Sequence, residues 1–239
     1  MRYVKLPIIE DTFQKTLKDS YGQVWKKKDG EFSEVLPDDR YSFLENPHSS
    51  HFYKEKTKKT AITIHATAGI LPADIGTLGQ KNKKMSTHFV IGRNGIIYQL
   101  FDTDFWSYHL GSGASGGNTP MSKKTVSIEL SNLCPLKKVG IKLVDIYGKD
   151  YCLLSDTDAY IEAKYRAYDY WATYTPKQIG SLAILVDAIC EKHSITKKFL
   201  SDQMEWKLGE PAATIWGHQN VRKDKIDPGP AFDFNDLKG

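Results

Sequence analysis

The stretch IWGHQNVRKDKIDPGPAF, residues 215–232, begins as an apolar, strand-like run and ends in a Pro-Gly-Pro sequence. His218 lies where the apolar run stops, and Asp227 directly precedes the first proline. Proline fixes its own backbone and restricts the residue before it, so this sequence pins the end of the loop. A surface loop needs neither an imidazole nor a carboxylate at a fixed place, whereas a metal site needs both. The stretch therefore predicts a strand end and a pinned loop that together present metal ligands.

A second histidine, His65, ends the first clear strand of the chain, AITIHAT at residues 61–67. Neighbouring strand ends can bring His65 and His218 to one edge of a sheet, and the pinned loop can return Asp227 to meet them. Two histidines and one carboxylate leave a fourth position open, which is typical of catalytic rather than structural zinc sites. From spacing alone, each histidine is also compatible with an ordinary core or surface position, so both interpretations stay open here.

Regular secondary-structure signals continue between these two strands. The Asn94-Gly95 dipeptide predicts a hairpin between THFVIG and IIYQLF. TVSIEL at residues 125–130 is a further buried strand, and a capped pattern of apolar residues predicts a helix over residues 175–193. The aromatic-rich stretch at residues 158–174 is expected to be partly helical. We therefore predict an α/β fold with a mixed central β-sheet flanked by helices and a zinc site at one edge of the sheet.

The chain divides by composition into two parts. Residues 1–58 are polar and interrupted by turn-forming and lysine-rich sequences, and we interpret them as an N-terminal extension. Residues 59–239 contain every candidate site residue, so the extension is expected to be dispensable for the chemistry. No internal repeat or low-complexity stretch is evident.

Composition excludes several classes of protein. The 239 residues are 40% hydrophobic and 26% charged with a net charge of +4, as in an ordinary globular protein. Basic residues are not interleaved with aromatic residues in the way that indicates nucleic-acid binding. No segment approaches the roughly 18 apolar residues of a membrane span, and no secretory signal is visible. Three scattered cysteines argue against a disulfide framework.

Several motifs occur together in one order: TIHATAG, THFVIGRNG, TVSIEL, the capped helix, and GHQNVRKDKIDPGPAF. This order resembles the type-2 N-acetylmuramoyl-L-alanine amidase family, which includes amidase-type phage lysozymes, cytosolic recycling amidases and peptidoglycan-recognition proteins. The resemblance covers roughly residues 60–235, and its most specific part is the GH dipeptide followed by a basic loop and KIDPGPAF. It implies a zinc-dependent amidase that cleaves the amide between N-acetylmuramic acid and the L-alanine of the stem peptide with a zinc-activated water.

The resemblance also implies roles for individual residues. His65, His218 and Asp227 match the ligands of a single zinc ion. Glu129 matches the acidic residue that acts on the attacking water, and strand alternation places it on the face opposite its apolar neighbours. The remaining two matches are Lys225, for stabilising the oxyanion, and His109, for lining the substrate groove.

The chain departs from some members of this family. Thr87 stands where phage relatives carry a tyrosine, and Asp227 stands where others have a cysteine ligand. Both departures favour the variety with a glutamate base and an aspartate ligand. The alternative function is a peptidoglycan-binding protein without catalysis, although such members typically lack a metal ligand. We expect a monomer that acts on peptidoglycan or a muramyl peptide, either in the cytoplasm or released to the wall as a phage-type lysin.

Overall fold

The computed structural model describes residues 2–200, 204 and 212–238. Within them the α-helices are α1 (Leu6–Thr16), α2 (Leu71–Leu78), α3 (Asn118–Lys124), α4 (Pro176–His193) and α5 (His218–Val221). The strands are β1 (Lys26–Lys28), β2 (Tyr41–Glu45), β3 (Ala61–Ala66), β4 (Phe89–Ile91), β5 (Ile97–Gln99), β6 (Thr125–Leu130), β7 (Pro135–Val139), β8 (Lys142–Val144), β9 (Asp150–Leu153), β10 (Tyr160–Tyr165), β11 (Tyr168–Ala172) and β12 (Ile215–Gly217). No helix in these ranges is both long and apolar enough to cross a membrane.

The main sheet has seven strands in the order β1-β2-β5-β4-β6-β3-β12. Strand β3 pairs in parallel with β6 on one side and with β12 on the other, whereas β4 and β5 form an antiparallel hairpin. Helix α4 packs on one face of the sheet, and its apolar side chains share a core with those of β3 and β6. The predicted α/β fold with a mixed central sheet is confirmed, and so is the hairpin, in which Gly95 has a φ of +87°.

Helix α4 begins as its sequence predicts. The Thr175 hydroxyl accepts a hydrogen bond from the backbone amide of Gln178 at 3.1 Å, and Pro176 occupies the first turn. Gln178 stands three positions after Thr175, where the sequence predicts a reciprocal capping box, but its side chain is engaged elsewhere. Its amide donates to the carbonyl oxygens of Ile91 at 2.9 Å and Ser131 at 3.1 Å, and so it ties the helix to the ends of β4 and β6.

The aromatic-rich stretch at residues 158–174 is a β-hairpin, so the expectation of partial helix was wrong. Strands β10 and β11 pair antiparallel and belong to a second sheet in the order β10-β11-β7-β8-β9. Tyrosine and tryptophan favour strands because their rings pack across neighbouring strands. The rings of Tyr160 and Tyr170, for example, lie 5.8 Å apart between centroids, and Trp171 is fully buried.

The N-terminal segment is built into the main sheet. Strand β2 pairs in parallel with β5, and β1 adds the edge strand beside it. The side chains of Phe13, Trp25 and Phe32 are each at most 2% exposed, and they lie in the cores on the two faces of the sheet. The Glu10 carboxylate accepts hydrogen bonds from two backbone amides in the β4–β5 turn, at 3.1 and 2.8 Å. The division between residues 1–58 and 59–239 stays a prediction, but the extension is not a separate appendage.

These contacts change what we expect of a truncated chain. Removing residues 1–58 would expose the sheet edge and empty the core positions of three large aromatic side chains, and each such loss costs about 3–5 kcal/mol. The total stability of a domain is only about 5–15 kcal/mol. We expect the truncated chain to show no cooperative thermal transition by circular dichroism. The matched control is Lys27→Ala on the exposed edge strand, which should melt like the wild type. A cooperative transition of the truncated chain near that of the full chain would contradict this expectation.

Candidate metal centre

The two histidines reach one edge of the main sheet because they follow neighbouring parallel strands. His65 is the penultimate residue of β3, and His218 directly follows β12, whose Gly217 pairs with Ile64. Asp227 returns to them on the loop after α5. All three side chains are nearly buried, with exposures of 2%, 5% and 9% for His65, His218 and Asp227. The structure thus brings together the three residues that the sequence predicts as ligands.

The ligand atoms converge on one point. The Nδ1 atoms of His65 and His218 lie 3.1 Å apart. The Oδ2 atom of Asp227 is 3.1 Å from His218 Nδ1 and 3.4 Å from His65 Nδ1. One ligand atom from each residue therefore lies within 4.8 Å of the others, a spacing that could hold a metal ion.

Hydrogen bonds on the far side of each ring fix the tautomers. His218 Nε2 lies 3.0 Å from the carbonyl oxygen of Leu110, which can only accept, so Nε2 carries the proton and Nδ1 presents a lone pair. His65 Nε2 lies 2.9 Å from His109 Nδ1, and His109 Nε2 lies 2.8 Å from the Thr125 hydroxyl.

The Thr125 hydroxyl determines which atoms donate and which accept in this series of hydrogen bonds. The Thr125 hydroxyl donates to the carbonyl oxygen of Met121 at 2.8 Å, so it accepts from His109 Nε2. His109 Nδ1 is then the acceptor for the proton on His65 Nε2, and His65 Nδ1 also presents a lone pair. Both ring nitrogens of His109 are engaged by protein partners.

This donor set fits a divalent cation. Burial and the neighbouring His218 lower the pKa of His65 to about 4, so a proton does not occupy this position at neutral pH. Burial opposes ionisation of Asp227, but His218 and His65 outweigh it and hold the pKa of this carboxyl well below its usual range. Two imidazole nitrogens and one carboxylate then converge on one point. Nitrogen and oxygen ligands in this number are typical of catalytic zinc sites with one open position.

The loop that carries Asp227 is held from both sides. The backbone carbonyl of Asp227 accepts a hydrogen bond from the amide of Gln219 at 3.0 Å. The next carbonyl, that of Pro228, accepts from the Tyr174 hydroxyl at 2.7 Å. Gly229 has a φ of +78°, and a Cβ atom there would lie 2.7 Å from the ring of Trp171. Glycine is required at this position, which explains the Pro-Gly-Pro sequence that follows the ligand.

Glu129 lies beside the ligands on the neighbouring strand, where it pairs in register with His65. Its Oε2 atom is buried and has no hydrogen-bond partner in the part of the chain that the structure describes. Burial, followed by the negative charges of Asp227 and Asp74, raises the pKa of this carboxyl well above its usual range. A carboxyl group in such a setting is poised to exchange a proton.

One cavity of about 270 Å³ joins these groups, and we call it the metal cleft. Its walls include all six residues that the sequence predicts for the site, namely His65, His109, Glu129, His218, Lys225 and Asp227. Thr87, at the place where phage relatives carry a tyrosine, also lines it. Larger cavities exist elsewhere on the described surface, so ligand chemistry rather than volume identifies this site. The sequence did not point to Thr125 or to the Leu110 carbonyl, because tertiary hydrogen bonds leave no local pattern.

The chain resembles known proteins in sequence and in fold. The model of the N-acetylmuramoyl-L-alanine amidase family matches residues 55–230. No curated protein matches the chain. Among solved structures, AmiD from E. coli in complex with the substrate anhydro-N-acetylmuramic acid-L-Ala-D-gamma-Glu-L-Lys is 22% identical, with a TM-score of 0.51. The match covers 77% of this chain and 58% of the AmiD chain, so this chain spans less than two thirds of that relative.

Two further structures are similar over most of the chain. LysC, an N-acetylmuramoyl-L-alanine amidase from Clostridium intestinale, is 15% identical with a TM-score of 0.48, and the match covers 85% of this chain and 96% of LysC. An AmpD derivative is 17% identical with a TM-score of 0.47, covering 85% of this chain and 94% of AmpD. At its level of identity, the likeness to AmiD shows a shared fold.

Proposed function

Because the chain belongs to the N-acetylmuramoyl-L-alanine amidase family, we propose that it hydrolyses the amide between N-acetylmuramic acid and the L-alanine of the stem peptide in peptidoglycan. The observation that carries this proposal is the convergence of His65, His218 and Asp227 beside a carboxylate oxygen of Glu129 that has no hydrogen-bond partner among the described residues. One zinc ion per chain, held by those three residues, would lower the pKa of a bound water to about 7 and polarise the scissile carbonyl.

Glu129 is the general base in this proposal. Its side chain lies at the wall of the metal cleft, where the carboxylate can accept the proton of the attacking water. The same carboxyl group can then deliver that proton to the leaving nitrogen, which must be protonated before the amide bond breaks. A raised pKa favours this second step because the protonated group persists at a pH where an exposed glutamate would be ionised.

Lys225 supplies positive charge in this proposal. It lies two positions before Asp227 on the same pinned loop and lines the metal cleft. The carbonyl oxygen of the substrate becomes negatively charged as the water adds to the amide carbon, and an ammonium group held beside it stabilises that charge.

His109 orients His65 in this proposal, since its Nδ1 accepts the hydrogen bond from His65 Nε2 that fixes the His65 tautomer. Such partners of a metal ligand typically contribute about 10- to 100-fold in metal affinity. The contact of His109 with substrate stays a prediction. Because both ring nitrogens have protein partners, such a contact would use the carbon edge or the faces of the ring.

We expect His109→Phe to weaken zinc affinity by about 10- to 100-fold, because phenylalanine fills the space but accepts no proton. Thr125→Val should have a smaller effect in the same direction, because it removes the far end of the chain of hydrogen bonds. His109→Gln, which keeps a donor and an acceptor, is the matched control. Competition with a chelator of known affinity measures the change. Unchanged zinc affinity of His109→Phe, with a raised KM, would instead support the substrate contact.

The activity itself is tested by digesting purified cell wall with the zinc-loaded protein and identifying the newly exposed groups. The proposal requires free amino termini of L-alanine. New reducing sugar ends would mean that a glycosidic bond is cut and would overturn it. Wall binding without release of either group would support the alternative, a recognition protein. The monomeric state and the cytoplasmic or lysin-type setting stay predictions.

A further inference from the structure

A five-residue motif occurs twice in the chain, as DSYGQ at residues 19–23 and DIYGK at residues 145–149. Both copies fold into the same turn. In each, the aspartate carboxylate accepts a hydrogen bond from the tyrosine amide at 2.9 Å and from the amide of the fifth residue, at 3.0 Å in the first copy and 2.9 Å in the second. The glycines have φ values of +86° and +77°, which glycine adopts without strain. The copies are too short and too far apart to register as a repeat in the sequence.

Each turn is anchored to the body of the protein through its aspartate. Asp19 is 6% exposed and accepts a hydrogen bond from the Trp25 indole at 3.1 Å. Asp145 is 1% exposed and forms an ion pair with Arg2. The two tyrosines are therefore presented on rigid supports, although their own side chains reach into solvent.

The two turns stand on the walls of one cavity. Tyr21 and Tyr147 are 65% and 72% exposed, and both line a cavity of about 590 Å³. The Tyr21 hydroxyl lies within hydrogen-bonding distance of the Thr77 hydroxyl, at 3.2 Å, so this ring is held beside α2. Exposed large aromatic side chains around a cavity are typical of binding surfaces rather than of packing.

This cavity continues into the metal cleft. Thr67, Thr77, Leu78 and Glu129 line both spaces, so the two cavities adjoin, with the metal ligands in one and the two tyrosines on the walls of the other. A ligand whose scissile bond lies at the metal ligands can therefore extend past Glu129 to the tyrosines. The volume of the second cavity is in the range that suits a small ligand or one segment of a polymer.

We propose that the twin Asp-x-Tyr-Gly turns form a subsite for sugar rings of the peptidoglycan glycan strand. A pyranose ring offers an apolar C–H face to an aromatic ring and hydroxyl groups to polar neighbours, which matches tyrosines exposed at a polar rim. This inference rests on the proposed function, since it places the glycan on one side of the scissile amide.

Charge favours the glycan over the stem peptide as the occupant. The stem peptide carries carboxylates, and the metal cleft offers Lys83 to them, in addition to the Lys225 that the proposed function assigns to the oxyanion. In the second cavity Arg2 is already paired with Asp145, which leaves Lys149 as the cation without an ion pair among the described lining residues. A neutral sugar fits this environment better than an anionic peptide.

The test compares two substrates that share one stem peptide. The first carries a glycan strand of several sugars, and the second carries the lactyl group without any sugar ring. We expect Tyr147→Ala to raise KM for the glycan-bearing substrate by about tenfold and to leave kcat/KM for the lactyl peptide unchanged. Tyr147→Phe should behave like the wild type because it keeps the ring. Ile141→Ala, at an equally exposed position of the β7–β8 turn, is the matched control.

A second readout does not depend on catalysis. Titrating the zinc-loaded protein with a peptide-free N-acetylglucosamine oligomer should shift the ring signals of Tyr21 and Tyr147 in NMR spectra. Binding without hydrolysis would support the subsite while the proposed function fails. An equal rise in KM for both substrates, a loss that follows the length of the stem peptide, or no shift on titration would overturn the subsite.

Discussion

Replacing Glu129 with glutamine should reduce turnover by about two to four powers of ten, the usual contribution of a positioned general acid–base group. The substitution keeps the shape of the side chain and removes its ability to accept a proton. Zinc content and melting temperature should stay near those of the wild type, because Glu129 is not among the three converging ligands. Binding to peptidoglycan should also survive.

Turnover on a soluble muramyl peptide, with zinc measured in the same sample, checks this result. Glu162→Gln, on the exposed face of β10, is the matched control and should retain full activity. Near-normal hydrolysis by zinc-loaded Glu129→Gln protein would reject Glu129 as the base and assign the proton transfer to another group. Loss of zinc in this variant would instead show that Glu129 belongs to the ligand set.

Replacing Asp227 with alanine should abolish stoichiometric zinc binding and with it the activity. The carboxylate supplies the negative charge of the ligand set, and two neutral imidazoles alone bind zinc weakly. Metal binding stabilises the folded state because the unfolded chain offers no formed site. The zinc-loaded wild type should therefore melt at a higher temperature than Asp227→Ala. Chelator-treated wild type should melt close to the variant.

Elemental analysis of protein purified without chelator, combined with thermal melts, measures both effects. Asp224→Ala is the matched control, because Asp224 lies in the same loop with a side chain that is 65% exposed. It should keep one zinc per chain. More than about half an equivalent of zinc in the Asp227→Ala protein would contradict the assignment of this ligand.

The sequence predicts where His65 and His218 meet for a simple physical reason. Parallel strands place their carboxyl ends together, so histidines that end β3 and β12 meet whenever those strands are neighbours. The alternation of apolar and polar residues in β6 likewise predicts that Glu129 faces away from the apolar core between the sheet and α4. Local sequence patterns of this kind are sufficient to predict the positions of site residues when those residues lie on strands or helices.

Other features depend on tertiary contacts that a local pattern does not contain. The stretch at residues 158–174 contains charged and alanine positions compatible with a helix, and the pairing of β11 with β7 decides in favour of strands. The role of His109 depends on Thr125, which is brought to it by the fold. The twin turns were detectable in principle as a shared Asp-x-Tyr-Gly pattern, but only the structure shows that both copies face one cavity.

Two ligands of the metal centre lie at strand ends of the main sheet, whereas the loop of the third packs against the second sheet. His65 and His218 lie at the ends of strands of the seven-stranded sheet, whereas Ile226 and Ala231 of the Asp227 loop pack in one cluster with Trp171 of the five-stranded sheet. A metal ion bound by all three residues would thus restrain the position of the second sheet relative to the first. Amide hydrogen exchange in β10 and β11 should accelerate when zinc is removed, while β3 and β6 stay protected at the centre of the larger sheet. The same ion that activates the substrate would then also set how stiffly the wall of the cleft is held.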